Sequence, residues 1–269
     1  MCKEQPIFIS GGKMNDLPCE FLRTDFGHEV YDGWYLEHAS HNFESPEFVK
    51  KHFRFYEEVL RLSKDDLILE AGCGTGSYAR EFARQGYHVV GMDLSPNFLA
   101  AAQNITQREN LEIEFIPGDY NEMRFEEKFS VVFFEGSFFY RSKEGLVSLL
   151  SRIHKALTPN GRLYFVHANQ SIKKQRFPMA NWSEIKKNVF VLQSQEYEES
   201  NDGSRCSWLK IDLETQKHYR CDYFVKCLSP DELKSCLMEA GFMDFHFYKK
   251  RRIGDFQPED DGFSVVAKK

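Results

Sequence analysis

The residues equipped for chemistry are Glu70, Asp93, Asp119, Glu135 and His167, together with the glycines Gly72, Gly74 and Gly76. The glycines lie in Leu67-Ile-Leu-Glu-Ala-Gly-Cys-Gly-Thr-Gly-Ser-Tyr-Ala79, an apolar run followed by a glycine-rich turn and the start of a helix. Lacking a Cβ, glycine lets the backbone turn sharply and approach a ligand closely. A helix beginning there aims free N–H groups at whatever fills the turn. That chemistry suits a nucleotide-like ligand. His167 has the residue type of a general base, and a structural histidine is the equal alternative. Glu135 is a candidate to hold a substrate amine, or a plain strand-end carboxylate.

The spacing of apolar residues shows what must position these groups. Buried strands are expected at Leu67–Leu69, Tyr87–Met92, Glu112–Ile116, Phe129–Phe134 and Arg162–Val166, each followed within a few residues by one of the polar candidates. Helical spacing separates them: Val49, Phe53, Tyr56 and Leu60 after Ser45-Pro46, then Ala79, Phe82 and Ala83, then Leu99 and Ala102 after Ser95-Pro96. Leu146, Leu149, Leu150, Ile153 and Leu157 complete the series. Ser-Pro pairs cap a helix and occupy its first turn, and the 3.6-residue period marks one buried face. Thr158-Pro-Asn-Gly161 reads as a turn before the fifth strand. Alternating strand and helix means a doubly wound α/β sheet, with the ligand outside the carboxyl ends of the strands. Five apolar strands ending in acids or histidine are the strongest functional signal in the pattern.

Beyond His167 the rhythm changes. Val189–Leu192, Cys206–Leu213 and His218–Val225 read as an antiparallel insert, with a turn at Asn201–Ser204. Ser229-Pro-Asp-Glu232 is a capping box opening a helix through Leu233, Cys236, Leu237 and Ala240. Phe242–Tyr248 and Phe263–Ala267 form a closing hairpin. The expected organisation is an aromatic-rich lid over 1–44, an α/β domain over 45–168 and 228–269, and a β insert over 169–227.

Bulk composition narrows the classes. A net charge of −6 argues against nonspecific attraction to nucleic acid or an anionic membrane surface. Lys249-Lys-Arg-Arg252 reads as a solvated strand end. The seven cysteines include no Cys-x-x-Cys pair and are odd in number, which fits reduced thiols rather than disulfides or zinc. No His/Asp/Glu cluster has metal-like spacing. Neither a signal peptide nor an apolar run of about 20 residues is present, so a soluble cytoplasmic protein is expected. The 25 phenylalanines read as a Phe-rich core.

Gly74-Thr-Gly76-Ser-Tyr-Ala79, with Asp93 about 20 residues on, loosely fits the dinucleotide fingerprint. Against a nicotinamide dehydrogenase stand the lack of a Tyr-x-x-x-Lys pair and the absence of any job for Asp119-Tyr120. Glu70-Ala-Gly-Cys-Gly-Thr-Gly76 resembles the first motif, E/D-x-G-x-G-x-G, of class I S-adenosylmethionine-dependent methyltransferases. Pro159-Asn-Gly161 and Glu239-Ala-Gly-Phe242 are similar to that family's later turns, and the resemblance runs from about Val59 to Lys269. It implies a seven-stranded, mostly parallel sheet with an antiparallel last hairpin, and S-adenosylmethionine as cofactor. The cofactor-binding residues it implies are Glu70, Gly72, Gly74, Asp93 on the ribose with Leu94 beside it, and Asp119 with Tyr120 near the adenine. Glu135 would serve the methionine end. The lid and insert resemble those of small-molecule methyltransferases, and Tyr31-Asp-Gly-Trp-Tyr35 is similar to a Tyr-Asp-x-x-Tyr of their N-terminal cover, which implicates Tyr31. The expected reaction is methylation of an O or N of a small metabolite, with no nucleic-acid or membrane partner. A cofactor-binding fold-mate without methyl transfer is the alternative.

Overall fold

In the computed structural model, which describes residues 20–21, 46–136, 138, 140, 142–176 and 178–269, the apolar runs become strands and the amphipathic segments helices. In chain order the elements are β1 (Glu20–Phe21), α1 (Pro46–Leu60), β2 (Leu67–Ala71), α2 (Ser77–Arg84), β3 (His88–Asp93), α3 (Pro96–Arg108) and β4 (Glu114–Pro117). There follow β5 (Phe129–Phe134), α4 (Lys143–Ala156), β6 (Leu157–Ala168), α5 (Gln170–Arg176), β7 (Met179–Lys186), β8 (Val189–Glu198), β9 (Gly203–Asp212) and β10 (Lys217–Lys226). The chain closes with α6 (Pro230–Glu239), β11 (Asp244–Lys249) and β12 (Gly262–Lys268).

Seven strands form one sheet in the order β11-β12-β6-β5-β2-β3-β4. β2 to β6 pair in parallel, while β12 runs antiparallel to both β6 and β11. The fold is therefore the expected doubly wound α/β sheet. Its strand order reverses at β2, whose two neighbours are β5 and β3, so the switch point lies at the glycine turn.

β5 shows why the sheet is covered on both faces. Successive side chains of a strand point to opposite sides. Accordingly Val132 and Phe134 join a core with Leu146, Leu149 and Ile153 of α4 and Leu237 of α6. Val131 and Phe133 join a second core with Val49, Phe53 and Tyr56 of α1 and Phe82 of α2. The second core is largely aromatic: Phe133 stacks on Tyr164 at 4.8 Å and meets Tyr56 and Phe82 edge-on at 5.1 Å. Many of the phenylalanines thus fill the core, as their number predicts.

The second sheet has the order β1-β10-β9-β8-β7, antiparallel except for β1, whose two residues pair in parallel with Tyr219 and Arg220. Two of its features depart from the pattern reading. α5 and β7 are additional, and β7 escapes notice because nearly all of its side chains face outward, leaving no apolar alternation. Its definition comes from pairing with β8. A third departure lies in β6, where Thr158–Gly161 bulges within a continuous strand instead of breaking it. Phe129 faces Leu157 while Val131 faces Arg162, and Asn160 adopts a φ of 65°. Leu157, expected on α4, begins β6 and stays fully buried.

Among the described residues no helix is long and apolar enough to cross a membrane.

Candidate active site

The glycine turn is built by local backbone geometry. Gly72, Gly74 and Gly76 have φ of 70°, 54° and 76°, the left-handed region where a side chain is strained. The N–H groups of Gly72 and Cys73 both donate to the Met92 carbonyl of β3, at 2.7 and 2.9 Å. A Cβ at Gly76 would lie 3.0 Å from the Phe115 ring, so the turn also packs tightly against β4. Glu70 ends β2 almost fully buried, and its Oε2 accepts from Ala79 N at 2.7 Å. Its carboxylate satisfies an open N–H at the start of α2 and complements the helix dipole. Glu70 therefore holds the helix behind the turn.

Asp93 joins the turn to the next two strands. Its Oδ2 accepts from Gly74 N at 2.8 Å and its Oδ1 from Ser95 N at 2.9 Å, while its carbonyl accepts from Gly118 N at 3.0 Å. Ser95 caps α3 by accepting from Phe98 N at 3.1 Å, as its Ser-Pro start predicts. Leu94 is half-buried between them. Asp119 opens a short 3₁₀ turn, its Oδ1 accepting from Asn121 N at 2.8 Å, and the Tyr120 ring meets Phe134 edge-on at 5.2 Å. Glu70, Asp93 and Asp119 are thus gathered at the carboxyl ends of three adjacent strands. Left-handed glycines and carboxylates able to accept from hydroxyl and amino groups fit a nucleoside joined to an amino acid. Tyr31 lies outside the described residues.

Glu135 does something else. Its side chain is 1% exposed, and one oxygen accepts from the hydroxyls of Tyr56 and Tyr164, both at 3.1 Å. The other accepts from Arg251 through Nε at 2.8 Å and through Nη2. Those four donors occupy all the lone-pair positions of a carboxylate. Burial, then the charge of Glu135, pushes the pKa of the Tyr56 hydroxyl far up. Arg251 is likewise held charged by Glu135 against the opposing effect of burial. In this structure the carboxylate expected at the methionine end, or on a substrate amine, is engaged by a guanidinium from the turn after β11. The basic run at 249–252 is correspondingly not a solvated end: Arg251 reaches into the sheet.

His167, at the end of β6, is buried between the Phe263 and Tyr140 rings. Its Nδ1 lies 2.8 Å from the Ala168 carbonyl, which only accepts, so the proton sits on Nδ1. Nε2, 2.5 Å from the Tyr140 oxygen, then accepts from that hydroxyl. Burial lowers the imidazole pKa to about 4, with the Lys173 charge acting the same way. Tyr140 is pushed well above its usual range by burial and keeps its proton. Both rings line a cavity of about 190 Å³ with Gly136 and Phe138 after β5, Lys226 at the end of β10 and Cys227 just after it. A larger hollow, about 420 Å³, lies between α3 and the start of β4 and includes no residue of the glycine turn.

Sequence reasoning missed Tyr56, Tyr140, Tyr164 and Arg251. Tyr56 and Tyr164 carry only the apolar periodicity of their elements, Tyr140 sits in a loop without period, and Arg251 lies in a charge run. No local signal joins them.

A sequence profile of the methyltransferase domain matches residues 68–161, from the first glycine-turn strand to the bulge of β6. A putative methyltransferase of Geobacillus sp. (strain WCH70) is 31% identical over 191 residues, which cover 65% of this chain and 73% of the relative. An S-adenosylmethionine-dependent methyltransferase of Clostridium acetobutylicum shares the fold with a TM-score of 0.68 at 14% identity, over 89% of this chain and 96% of that one. So does an amino pentose methyltransferase from Micromonospora echinaspora solved with S-adenosylmethionine bound, with a TM-score of 0.58 at 16% identity over 89% and 97% of the two chains. With the strand order, the glycine turn and the gathered acids, the Geobacillus likeness decides the matter: this chain belongs to the S-adenosylmethionine-dependent methyltransferases, enzymes that take S-adenosylmethionine as cofactor.

Proposed function

We propose that the enzyme methylates an oxygen or nitrogen of a small molecule bound between the ends of β5 and β6 and the second sheet. The observation that carries this reading is the cavity lined by Gly136, Tyr140, His167 and Cys227, one strand away from the glycine turn. Its modest volume suits part of a metabolite and not a polymer. The amino pentose methyltransferase named above is a precedent for this fold acting on a small acceptor. Residues 1–44 and 169–227 are assigned to the acceptor side, as lid and insert.

In this reading Asp93, with Leu94 beside it, binds the ribose hydroxyls, Asp119 and Tyr120 border the adenine, and Gly72 and Gly74 give backbone approach to the amino-acid end. Glu70 positions the turn, and Tyr31 closes over the cofactor. S-adenosylmethionine, when bound, supplies an electrophilic methyl on a good leaving group. The protein's work is then alignment and exclusion of water, and positioning of that kind supplies about 7–11 kcal/mol. A protonated acceptor also needs a base, worth about 10²–10⁴-fold. The neutral His167 has its Nε2 lone pair directed at the Tyr140 hydroxyl. An acceptor proton passing to the Tyr140 oxygen is therefore matched by the Tyr140 proton moving to Nε2, leaving imidazolium and a neutral phenol. Calorimetry with S-adenosylmethionine, followed by turnover of labelled cofactor with a metabolite extract, tests the reading. His167→Ala should retain cofactor binding and lose turnover. Unchanged turnover would remove His167 from the chemistry, and label appearing only in RNA would overturn the small-molecule acceptor.

A further inference from the structure

We infer that the methyl acceptor is an anion, carrying a carboxylate or phosphate held by Lys173, Lys226 and Lys250 in the cavity that Tyr140 and His167 line. The inference rests on the acceptor site proposed above and adds the charge class of its occupant.

Three lysines from three elements line that cavity: Lys173 from α5, Lys226 from the end of β10, and Lys250 from the turn after β11. Among the described residues none of their ammonium groups pairs with a carboxylate. Lys226 donates to the Asn201 carbonyl at 2.7 Å, and Lys173 reaches the Cys227 sulfur at 3.6 Å. Lys250 makes no hydrogen bond or ion pair among the described residues although it is partly buried. Removing an ammonium from water without a partner is costly. Consistent with that cost, burial and then the Arg251 charge lower the Lys250 pKa.

Neither Glu135 nor Asp261, the carboxylates whose charges act on Lys250, lies within ion-pairing distance of it. Glu135 is filled by Arg251, Tyr56 and Tyr164, and Asp261 lies 3.8 Å from Arg176. No carboxylate occurs among the described lining residues. The chain as a whole has a net charge of −6, so this concentration of cations is local and opposes the overall field. An oxyanion would give each lysine a charge-assisted hydrogen bond. A cationic amino compound would meet like charges and find no carboxylate among the described lining residues, the reverse of what Glu135 in the sequence suggests.

The test uses two aldehydes that form Schiff bases with lysine, pyridoxal 5′-phosphate and pyridoxal. After borohydride reduction, modified peptides of the full-length protein are quantified by mass spectrometry. One charge-assisted contact corresponds to about tenfold, so modification of Lys173, Lys226 or Lys250 should be about tenfold faster or more with the phosphate-bearing aldehyde. Lysines elsewhere, such as Lys155, measure the intrinsic difference between the reagents. Protection of the three lysines by inorganic phosphate identifies a phosphate-bearing acceptor, and protection by benzoate alone a carboxylate. Equal relative rates at the cavity and at Lys155, or protection by neither anion, would overturn the inference. Calorimetry with S-adenosylmethionine on the same samples separates the two failures. Cofactor binding with no anion preference sinks only the anionic acceptor, whereas no cofactor binding sinks the functional reading itself.

Discussion

Asp93 and Glu135 both follow apolar strands in one sheet, yet the two regions they represent are built differently. At the ends of β2, β3 and β4 the contacts are short-range in structure: Asp93 accepts from Gly74 and Ser95, and Glu70 from Ala79. Each carboxylate holds a neighbouring turn or helix start. At the ends of β5 and β6 the partners are distant in sequence. Glu135 is met by Tyr56, Tyr164 and Arg251, and His167 by Tyr140. The ends of β2, β3 and β4, the proposed cofactor side, are therefore held by contacts between adjacent turns and helix starts. The ends of β5 and β6, the proposed acceptor side, are an assembly whose chemistry depends on which remote residues arrive.

Substitutions should expose that difference, the acceptor side failing through stability and the cofactor side through binding. The largest effect is expected for Glu135→Ala, which leaves Arg251 charged in a mostly buried site and two tyrosines without their acceptor. Breaking a buried ion pair from one side costs about 3–5 kcal/mol, measurable by urea unfolding. Normal stability with lost cofactor affinity would instead make Glu135 a ligand-binding residue.

His167 predicts a pH dependence. Its folded pKa of about 4 lies below the ordinary histidine value of 6.5, so between these values the unfolded chain binds more protons than the folded one. Its contribution is fully present above pH 6.5, falls as pH drops toward 4, and levels off below that, by up to about 3 kcal/mol. The difference between the unfolding free energies of wild type and His167→Gln should change by about this amount across pH 4–7. Parallel curves would place the imidazole in contact with solvent.

On the cofactor side, Asp93→Ala should weaken S-adenosylmethionine binding by about 10- to 100-fold, the loss of one or two hydrogen bonds to a charged group, seen by calorimetry. The folded state should survive, since the Gly72 and Cys73 bonds to Met92 remain. Unchanged affinity would remove Asp93 from the site. The smallest effect is expected for Gly86→Ala at the end of α2, where φ is 82° and nothing lies within 4 Å of the added Cβ. Backbone strain alone should cost about 1–2 kcal/mol in unfolding, with cofactor affinity unchanged. A change in affinity there would mean that the position of α2 is transmitted to the turn.

The unevenness of the sequence reading follows the same division. Ser95, Ser229 and the glycine turn were legible because caps and left-handed glycines act over three or four residues. β7 was not, because an outward-facing strand carries no alternation and exists through its pairing with β8. Arg251 looked like one charge in a basic run, and only the hairpin of β11 and β12 carries it, with a φ of 54°, to Glu135.

By itself the sequence determined the α/β alternation, the glycine turn at Gly72–Gly76 and the polar residues that end the strands, while the strand order that makes that turn the switch point came from the tertiary structure. Periodicity, capping and glycine's backbone freedom are local properties and can be read in order along the chain. Tertiary structure alone decided that Glu135 is paired with Arg251, that His167 is neutral and joined to Tyr140, and that three lysines line one cavity. Charge state and hydrogen-bond occupancy depend on burial and on partners up to 116 positions away, and a linear chain does not display either.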